Sequence, residues 1–498
     1  MRENEKQLKM GAILSYVSVA LHLVMGLVFT PWMVGKLGSG QYGLYTLANS
    51  VISMFLVDFG LSSAVGRYVA EYHTKGEEDR VARFLGAVYK LYLLIDALIF
   101  AILITVFFLI DRIYVKLTPW ELEHFKVVYL IASSFSVVSF PFVTLNGILT
   151  AYEKFIPLKM ADVVQKLLQV CIVAVALNAG YGLYALVSIN AAVGLIIILF
   201  KLWVIRKTTT AKVDAKHTDT GIYKEIFGFS MWTTVATLAQ RLVFNIAPSV
   251  LGIVSNSAEI AVFGVVTTIE GNLYTLTNAV NGMFLPRITR IFTQEEDPEK
   301  SLEKLMLPVG KYQFGLTGLV IAGFVLLGRE FIYLWVGDLY ADAYWGILLV
   351  IIPGVFYSAL QIANTAVVVK KQVRIPAFVN LAVGITSVVL SFPLSKRFGA
   401  LGASAAICIA YCIRAVLLNV VYSKVLHLRM GRFVRECYIR MSVPILLTIL
   451  VSNGILTGIQ GTGWGWLACK AVLISMIYGA ILLTIGVENG WRKIRKLI

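Results

Sequence analysis

The sequence has few charged residues. Asp, Glu, Lys and Arg make up 14% of its 498 residues, whereas apolar residues make up 58%, and the mean hydropathy is +0.80. A typical soluble domain has about 25% charged residues. The composition therefore excludes an ordinary soluble domain and predicts an all-α protein that crosses a membrane many times.

Cysteines are also scarce, and no histidine or acidic residue joins them in a ligand pattern. Four lie in apolar stretches, at Cys171, Cys408, Cys412 and Cys469, and Cys437 lies beside a basic stretch. We therefore expect no disulfide framework and no metal site. A glycine-rich phosphate loop is also absent from the sequence, which argues against direct nucleotide hydrolysis, and we expect no cofactor.

Long apolar runs are abundant. A helix needs about 20 apolar residues to cross a bilayer, and dividing the chain by this rule predicts about 14 transmembrane helices. Their approximate limits are 10–34, 42–66, 84–110, 125–150, 157–178, 182–205, 226–254, 259–285, 305–335, 343–369, 376–395, 401–423, 436–457 and 464–487.

The net charge of +16 is distributed unevenly between the two sides of these segments. If the N-terminus is inside, the inner connections carry 31 of the 44 Lys and Arg residues and the outer ones carry 8. This is the positive-inside pattern. It predicts a multi-pass cell-membrane protein with both termini cytoplasmic, and it explains the basic balance without nucleic acid.

The two halves of the chain match each other at a nearly constant offset of 217 to 221 residues. The matched pairs include Pro31 with Pro248, Arg67 with Arg287, Pro157 with Pro376, and Gly182 with Gly402. Six helices separate the copies, so we expect two lobes related by a pseudo-twofold axis along the membrane normal. The predicted domains are an N-lobe (1–206), a cytoplasmic linker (207–221), a C-lobe (222–424), and two further helices with a basic tail (425–498).

Polar residues recur at steps of three or four in segments 7 and 8. Segment 7 carries Ser230, Thr234, Thr237, Arg241 and Asn245, and segment 8 carries Thr267, Glu270, Tyr274, Asn278 and Asn281. Each set falls on one face of its helix. A guanidinium and a carboxylate are costly in hydrocarbon unless they face a partner or water. We therefore predict that both helices line a water-filled cavity.

Arg241 and Glu270 each have more than one interpretation. Arg241 lies about 24 Å along its helix, where its planar fork suits a lipid diphosphate or an acidic sugar. The alternative for Arg241 is a fixed ion pair with Glu270. Glu270 could equally be a proton or sodium site, a hydrogen-bond acceptor for sugar, or the counter-charge of Arg241.

Three further sites are candidates for the cavity wall. Segment 5 carries a polar line that includes Asp162 and Lys166, which are one turn apart and could also form an internal pair. His22 in segment 1 could titrate near neutral pH or could be purely structural. Arg414 in segment 12 would extend a basic lining.

Several short motifs resemble those of the polysaccharide (O-antigen and exopolysaccharide) flippases. They are Asp58-Phe59-Gly60-Leu61 followed by Arg67, Phe284-Leu285-Pro286, Leu334-Trp335-Val336-Gly337, and the turn Gly399-Ala400-Leu401-Gly402-Ala403. Those proteins belong to the multidrug/oligosaccharidyl-lipid/polysaccharide exporter superfamily. The resemblance implies translocation of an undecaprenyl-diphosphate-linked oligosaccharide by alternating access, with helices 1, 2, 7 and 8 lining the cavity. On this interpretation Asp58, Arg67 and Pro286 would serve gating or helix packing, and a polysaccharide polymerase or glycosyltransferase could be a partner besides membrane lipids.

Two competing functions fit the sequence less well. A cation-coupled multidrug exporter of the same superfamily should have an acidic cavity and usually 12 helices, so the two additional helices and Arg241 weigh against it. A membrane-embedded polymerase or ligase should carry a sizeable outer loop with catalytic Arg or His residues, and the sequence has none. We therefore predict a transporter rather than an enzyme, and leave open whether a proton gradient, a sodium gradient or the membrane potential drives it.

Overall fold

The computed structural model describes residues 2–55, 58–214, 216, 220–282, 284–370, 372–459 and 461–484. Within these ranges the chain is almost entirely helical and has no strand. It separates into two compact units, unit 1 (Met1–Ala261) and unit 2 (Val262–Ile498). The predicted basic tail lies largely outside the described residues.

The described residues of unit 1 form nine α-helices and the start of a tenth. They are α1 (Arg2–Phe55), α2 (Leu61–Thr74), α3 (Glu78–Ile113), α4 (Pro119–Ser139), α5 (Thr144–Ala151), α6 (Phe155–Asn178), α7 (Leu183–Thr208), α8 (Thr220–Phe244), α9 (Ala247–Val254) and α10 (Ser257–Gly282). Within its described ranges, unit 2 contains the rest of α10 and eight more α-helices. They are α11 (Leu285–Gln294), α12 (Pro298–Val336), α13 (Ala343–Ala359), α14 (Gln361–Val369), α15 (Arg374–Val425), α16 (Met430–Phe433), α17 (Arg440–Leu456) and α18 (Trp464–Thr484).

Eleven helices in the described part of the chain are long and apolar enough to cross a membrane. The bent pair α13 and α14, which meet at 49°, would make a twelfth span. The prediction of an all-α, many-span membrane protein is confirmed. The number 14 requires α1 and α15 to cross twice each, and that count stays a prediction.

Helix α15 is interrupted at Gly399, whose backbone angles (φ 55, ψ −135) are not helical. A Cβ at Gly402 would overlap the carbonyl oxygen of Leu394. In a straight helix, residues eight positions apart are about 12 Å apart, so the chain folds back on itself here. Glycine permits both the left-handed φ and the close backbone approach. This agrees with the tight connection predicted between segments 11 and 12.

Helix α1 reverses in the same way at Gly38 (φ 77, ψ 166). Its beginning packs on the beginning of α6. Beyond Gly38, Gln41 lies beside Gly182, the residue before α7, and Tyr45 then receives a hydrogen bond at 3.5 Å from Asn190, which is further along α7. The first part of α1 therefore runs with α6, and the second part returns with α7.

The two units share a pattern of broken helices. In unit 1 the chain breaks before α2 and again between α4 and α5, and α2 packs against α5. In unit 2 it breaks before α11 and again between α13 and α14, and α11 packs against α14. Duplication of one bundle would produce this repeat. The lobe limits at 206 and 222 stay predictions, since the compact units divide after Ala261.

The predicted second segment, 42–66, is too long at its end. The helix ends at Phe55 and α2 begins at Leu61, because Phe59 (φ 52) and Gly60 (φ 67) adopt left-handed conformations. Asp58 stabilises the new helix, since its carboxylate accepts the Ser62 backbone N–H at 3.3 Å. The same carboxylate accepts the Tyr92 hydroxyl at 2.5 Å. Asp58 therefore caps α2 and links it to α3.

The close approach at Gly402 gives a first test. We expect Gly402→Ala to lower the melting temperature in detergent by a few degrees, because overpacking costs about 1–3 kcal/mol. The control is Gly323→Ala in α12, where a Cβ would meet nothing within 4 Å and alanine should be neutral or slightly stabilising. Equal melting temperatures for the two variants would contradict the folded-back geometry of α15.

The Asp58 carboxylate gives a second test. Asp58→Ala removes a helix cap, which costs about 1 kcal/mol, and also removes the acceptor of the Tyr92 hydroxyl. We therefore expect Tyr92→Phe to destabilise the wild type more than it destabilises the Asp58→Ala protein. A double-mutant cycle on thermal unfolding measures this coupling. Strictly additive effects would show that the two side chains do not interact.

Candidate functional site

Three charged side chains form a network on α6 and α7 of unit 1. The Asp162 carboxylate lies 3.5 Å from the Nζ of Lys159 and 3.5 Å from the Nζ of Lys201. The buried Lys201 also donates to the Asn146 side-chain carbonyl at 2.9 Å. Sequence reasoning missed Lys201, although its position inside an apolar run was a signal. Asp162 is therefore engaged by two lysines other than Lys166.

Lys166 lies one turn beyond Asp162 and is partly buried. It makes no ion pair with any residue in the described part of the chain. Its charge acts on His22 of α1, the helix that packs along α6, and the His22 side chain is exposed. The structure thus places two of the predicted cavity residues, His22 and Lys166, on helices that pack together.

Arg241 and Asn245 of α8 contact the part of α1 that follows Gly38. An Arg241 Nη1–H donates to the Ser53 backbone carbonyl, and the Asn245 side-chain amide donates to the Ser53 hydroxyl. The Ser50 hydroxyl donates to the Asn245 carbonyl. The Nε of Arg241 is buried and makes no hydrogen bond to a described residue. Arg241 thus connects two helices of unit 1 through neutral acceptors.

No carboxylate pairs with Arg241 among the described residues of unit 1. Since Glu270 belongs to unit 2, the predicted pair between them stays a prediction. The side chain of Ser230, which begins the stripe predicted on this helix, lies outside the described residues.

A cavity lies within unit 2, and Glu270 is part of its wall. Other polar residues of the wall are Tyr274, Thr277, Thr317, Tyr357, Ser358, Gln361 and Tyr411. The predicted stripe on segment 8 therefore reaches a cavity through Glu270 and Tyr274. Asn278 is partly buried and does not line it, and Asn281 accepts a hydrogen bond from Gln313. Thr277, one position before Asn278, lines this cavity, and Asn278 does not.

Arg414 lies beside this cavity and does not line it. The residue is 7% exposed, and its guanidinium carbon lies 3.6 Å from the ring centroid of Tyr357 and 5.8 Å from that of Tyr411. Its charge acts on Glu270. The contribution of Arg414 to the basic lining of the predicted cavity stays a prediction. Tyr357 and Tyr411 come from separate helices, and no sequence spacing linked them to Arg414.

Two other motif residues, Arg67 and Pro286, lie on the short helices α2 and α11. Arg67 is exposed on α2, and its guanidinium carbon lies 5.5 Å from the Tyr68 ring centroid. Pro286 is exposed in the first turn of α11, where a missing N–H costs nothing. A gating role for Asp58, Arg67 and Pro286 stays a prediction. In the described part of the chain, no group of three or more His, Cys, Asp and Glu residues could hold a metal ion.

Several known proteins are similar to this chain. A Shigella flexneri protein named "Putative O-antigen transporter" is 23% identical over 405 residues, which are 78% of this chain and 91% of that protein. The fold is similar to that of "Lipid II flippase MurJ, inward closed conformation", with a TM-score of 0.71, 16% identity, and coverage of 95% of this chain and 98% of the other. It is also similar to a multidrug resistance MATE family transporter of the MOP superfamily, with a TM-score of 0.66, 15% identity, and coverage of 85% and 99%.

The family comparison covers more than half of the sequence. The family described as polysaccharide biosynthesis protein matches residues 8–292, a range that contains His22, Lys166, Arg241 and Glu270. The resemblance expected from the short motifs is confirmed, and the chain belongs to this polysaccharide biosynthesis protein family.

Proposed function

We propose that this chain is a flippase that moves an undecaprenyl-diphosphate-linked oligosaccharide from the inner to the outer leaflet. Its family, the similarity to an O-antigen transporter and the fold shared with a lipid II flippase support this function. The observation that carries it is the position of Lys166 on α6, the helix that packs along α1: it is a partly buried cation with no carboxylate partner in the described part of the chain.

An unpaired cation at membrane depth costs several kcal/mol and is retained where a ligand supplies the opposite charge. Asp162 does not meet this need, since it is engaged by Lys159 and Lys201. A diphosphate is a strong anion, and a lysine ammonium binds phosphate oxygens as a point charge. Lys166 is therefore the primary contact for the lipid diphosphate, and His22 lies next to it.

Arg241 takes part through alternating access. In this structure it donates to the Ser53 carbonyl, a neutral acceptor that satisfies only part of its hydrogen-bonding capacity. When α8 separates from α1 during the transport cycle, the guanidinium is released and can bind phosphate oxygens in a bidentate manner. The same residue then stabilises one conformation by a backbone contact and the other by a substrate contact.

The proposed step makes and breaks no covalent bond, so the chain acts as a transporter and not as an enzyme. Both termini lie on the cytoplasmic side, where the positive-inside pattern places the basic connections. A proton gradient, a sodium gradient or the membrane potential drives the cycle. The flipped lipid is the substrate of a polysaccharide polymerase or glycosyltransferase.

Replacing Lys166 tests the phosphate contact. In proteoliposomes containing a short polyprenyl-diphosphate oligosaccharide, Lys166→Gln should slow flipping about tenfold or more, because a hydrogen bond to a charged group contributes about 1.5–3 kcal/mol. The matched control is Lys159→Gln on the same helix, which removes a cation already paired with Asp162 and should have a smaller effect. If both variants flip at the same rate, Lys166 does not contact the anion.

Replacing Arg241 tests the proposed function as a whole. Flipping should fall more in Arg241→Ala than in Arg241→Lys, because lysine keeps the charge but lacks the planar fork. Each protein is assayed with and without an imposed proton gradient, sodium gradient or membrane potential, and the dependence identifies the driving force. If the wild type never moves the lipid but expels a cationic dye against a gradient, the protein is a multidrug exporter and the flippase proposal is wrong.

A further inference from the structure

We propose that unit 2 binds an anionic phospholipid at a basic surface formed by Lys424 of α15 and by Arg435 and Arg440 at the start of α17. The ligand class is a diacyl phospholipid with a net negative headgroup, such as phosphatidylglycerol. Helix α15 ends at Val425 and α16 begins at Met430, so the three cations lie at the same end of the unit. The positive-inside pattern assigns this end to the cytoplasmic side.

The segment from Arg429 to Arg440 carries four arginines, and two of them are paired with carboxylates. Arg429 donates from Nη2 and Nε to the Glu303 carboxylate, at 2.9 and 3.1 Å. Arg432 donates from Nε to the carboxylate four residues later, at 2.8 Å. Arg435 and Arg440 are exposed and form no ion pair with any residue that the structure describes. Their charges are therefore available to an external anion.

Arg435 lies in line with an exposed apolar stripe. Residues 434–439 form a π-helical turn that leads into α17, and beyond Arg435 the side chains at steps of three and four are apolar. They are 40% to 70% exposed and comprise Ile439, Val443, Leu446, Leu447 and Leu450. Residues at these steps share one side of a helix, and a long exposed apolar surface on a spanning helix faces lipid. Arg435 is therefore on the lipid-facing side, and Arg440 borders the same stripe.

Lys424 ends a second stripe of the same kind. The exposed side chains of Val416 and Val420 precede it on α15 at steps of four. Lys424 is itself exposed, and within the described ranges it has no ion pair. Helix α15 packs against α16, and the buried side chains of Leu426 and Leu428 hold the short connection against the bundle. Two neighbouring lipid-facing stripes thus end in unpaired cations.

The depth of these cations fits a lipid phosphate. Arg435 and Ile455, the last exposed apolar residue of α17, are 20 positions apart, which corresponds to about 30 Å of helix. The hydrocarbon core of a bilayer is about 30 Å thick. Arg435 therefore lies at the border between the hydrocarbon and the headgroups. Arg440 lies between one and two turns deeper, and its long side chain can extend to the same border.

Charge and apolar surface together select the occupant. A soluble anion would not occupy the lipid-facing side of these helices, and the amine of a zwitterionic phospholipid offsets its own phosphate. An anionic phospholipid meets both conditions, because its acyl chains cover Val443 and Leu447 while its headgroup accepts hydrogen bonds from the guanidinium groups. The positive-inside pattern explains why cations lie on this side. It does not explain why the unpaired ones continue the apolar stripes.

The test measures lipid binding to the purified full-length protein in detergent by native mass spectrometry. Dioleoyl-phosphatidylglycerol is the anionic probe and dioleoyl-phosphatidylcholine is the zwitterionic one, and we expect the wild type to bind the anionic lipid more tightly. Arg435→Gln and Arg440→Gln should each weaken this binding about fivefold, the contribution of one basic residue near anionic lipid, and should leave the zwitterionic lipid unaffected. The matched control, Arg432→Gln, removes the same charge from the same segment, but one that is already paired, and should have a much smaller effect.

Thermal unfolding with each lipid provides a second readout and reports whether each variant folds. The anionic lipid should raise the melting temperatures of the wild type and of Arg432→Gln more than the zwitterionic lipid does, and this excess should shrink in Arg435→Gln and Arg440→Gln. Because neither assay measures transport, the result is independent of whether the chain is a flippase.

Three outcomes would overturn the proposal. The first is equal binding of the two phospholipids by the wild type. The second is an equal loss of anionic-lipid binding in Arg432→Gln and Arg435→Gln, which would show an effect of net charge alone. The third is displacement of the phosphatidylglycerol by undecaprenyl diphosphate with a larger loss of affinity in the same variants, which would make this surface a contact for the transported lipid.

Discussion

The structure depends on one constraint, which is that a charge at membrane depth must have a partner. Burying an unpaired charge in a low-dielectric region costs far more than a surface ion pair contributes, so helices that carry charges are held where those charges can be matched. In unit 1, Asp162 brings together Lys159 of α6 and Lys201 of α7. In unit 2, Arg414 is covered by Tyr357 and acts on Glu270. Lys166 has no carboxylate partner in the described part of the chain, and one carboxylate oxygen of the buried Asp96 has no hydrogen-bond partner among the described residues.

The same constraint applies to the backbone. A helix can break inside a membrane protein only where the released N–H and C=O groups find other partners. Asp58 meets this requirement by accepting the Ser62 N–H while Phe59 and Gly60 turn the chain. The short helix α2 can then pack on α5, and the equivalent break in unit 2 allows α11 to pack on α14. In a soluble protein, water could form hydrogen bonds with the backbone groups released at such a break. In this chain Asp58 accepts one of these hydrogen bonds, and a break occurs at the corresponding place in each unit.

Sequence reasoning predicted what local pattern determines and missed what tertiary contacts determine. Apolar length predicted the many spans, and the three- and four-residue spacing predicted that Glu270 and Tyr274 share a cavity wall. The predicted end of segment 2 was wrong. The sequence stays largely apolar on both sides of Asp58, but the helix is interrupted there. The contact of Arg414 with Tyr357 was missed, because the two residues are 57 positions apart in the sequence and their spacing follows no helical period. Pairings between helices depend on how the helices pack, and the sequence period does not encode them.

Comparison of the two repeats separates the scaffold from the site. The helix breaks recur in both units, but several charges do not: at the repeat offset of 219, Asp162 and Lys166 correspond to Leu381 and Ile385. At the offset of 220, Arg414 corresponds to Gly194, and a Cβ there would overlap the ring of Phe135. At this position unit 2 stacks the Arg414 guanidinium on the Tyr357 ring, whereas unit 1 packs the backbone of Gly194 against the Phe135 ring. Both units need their turns for the chain to fold back on itself, so the breaks recur. Asp162, Lys166 and Arg414 each occur in one unit only, and the fold that the two units share therefore does not require these charges.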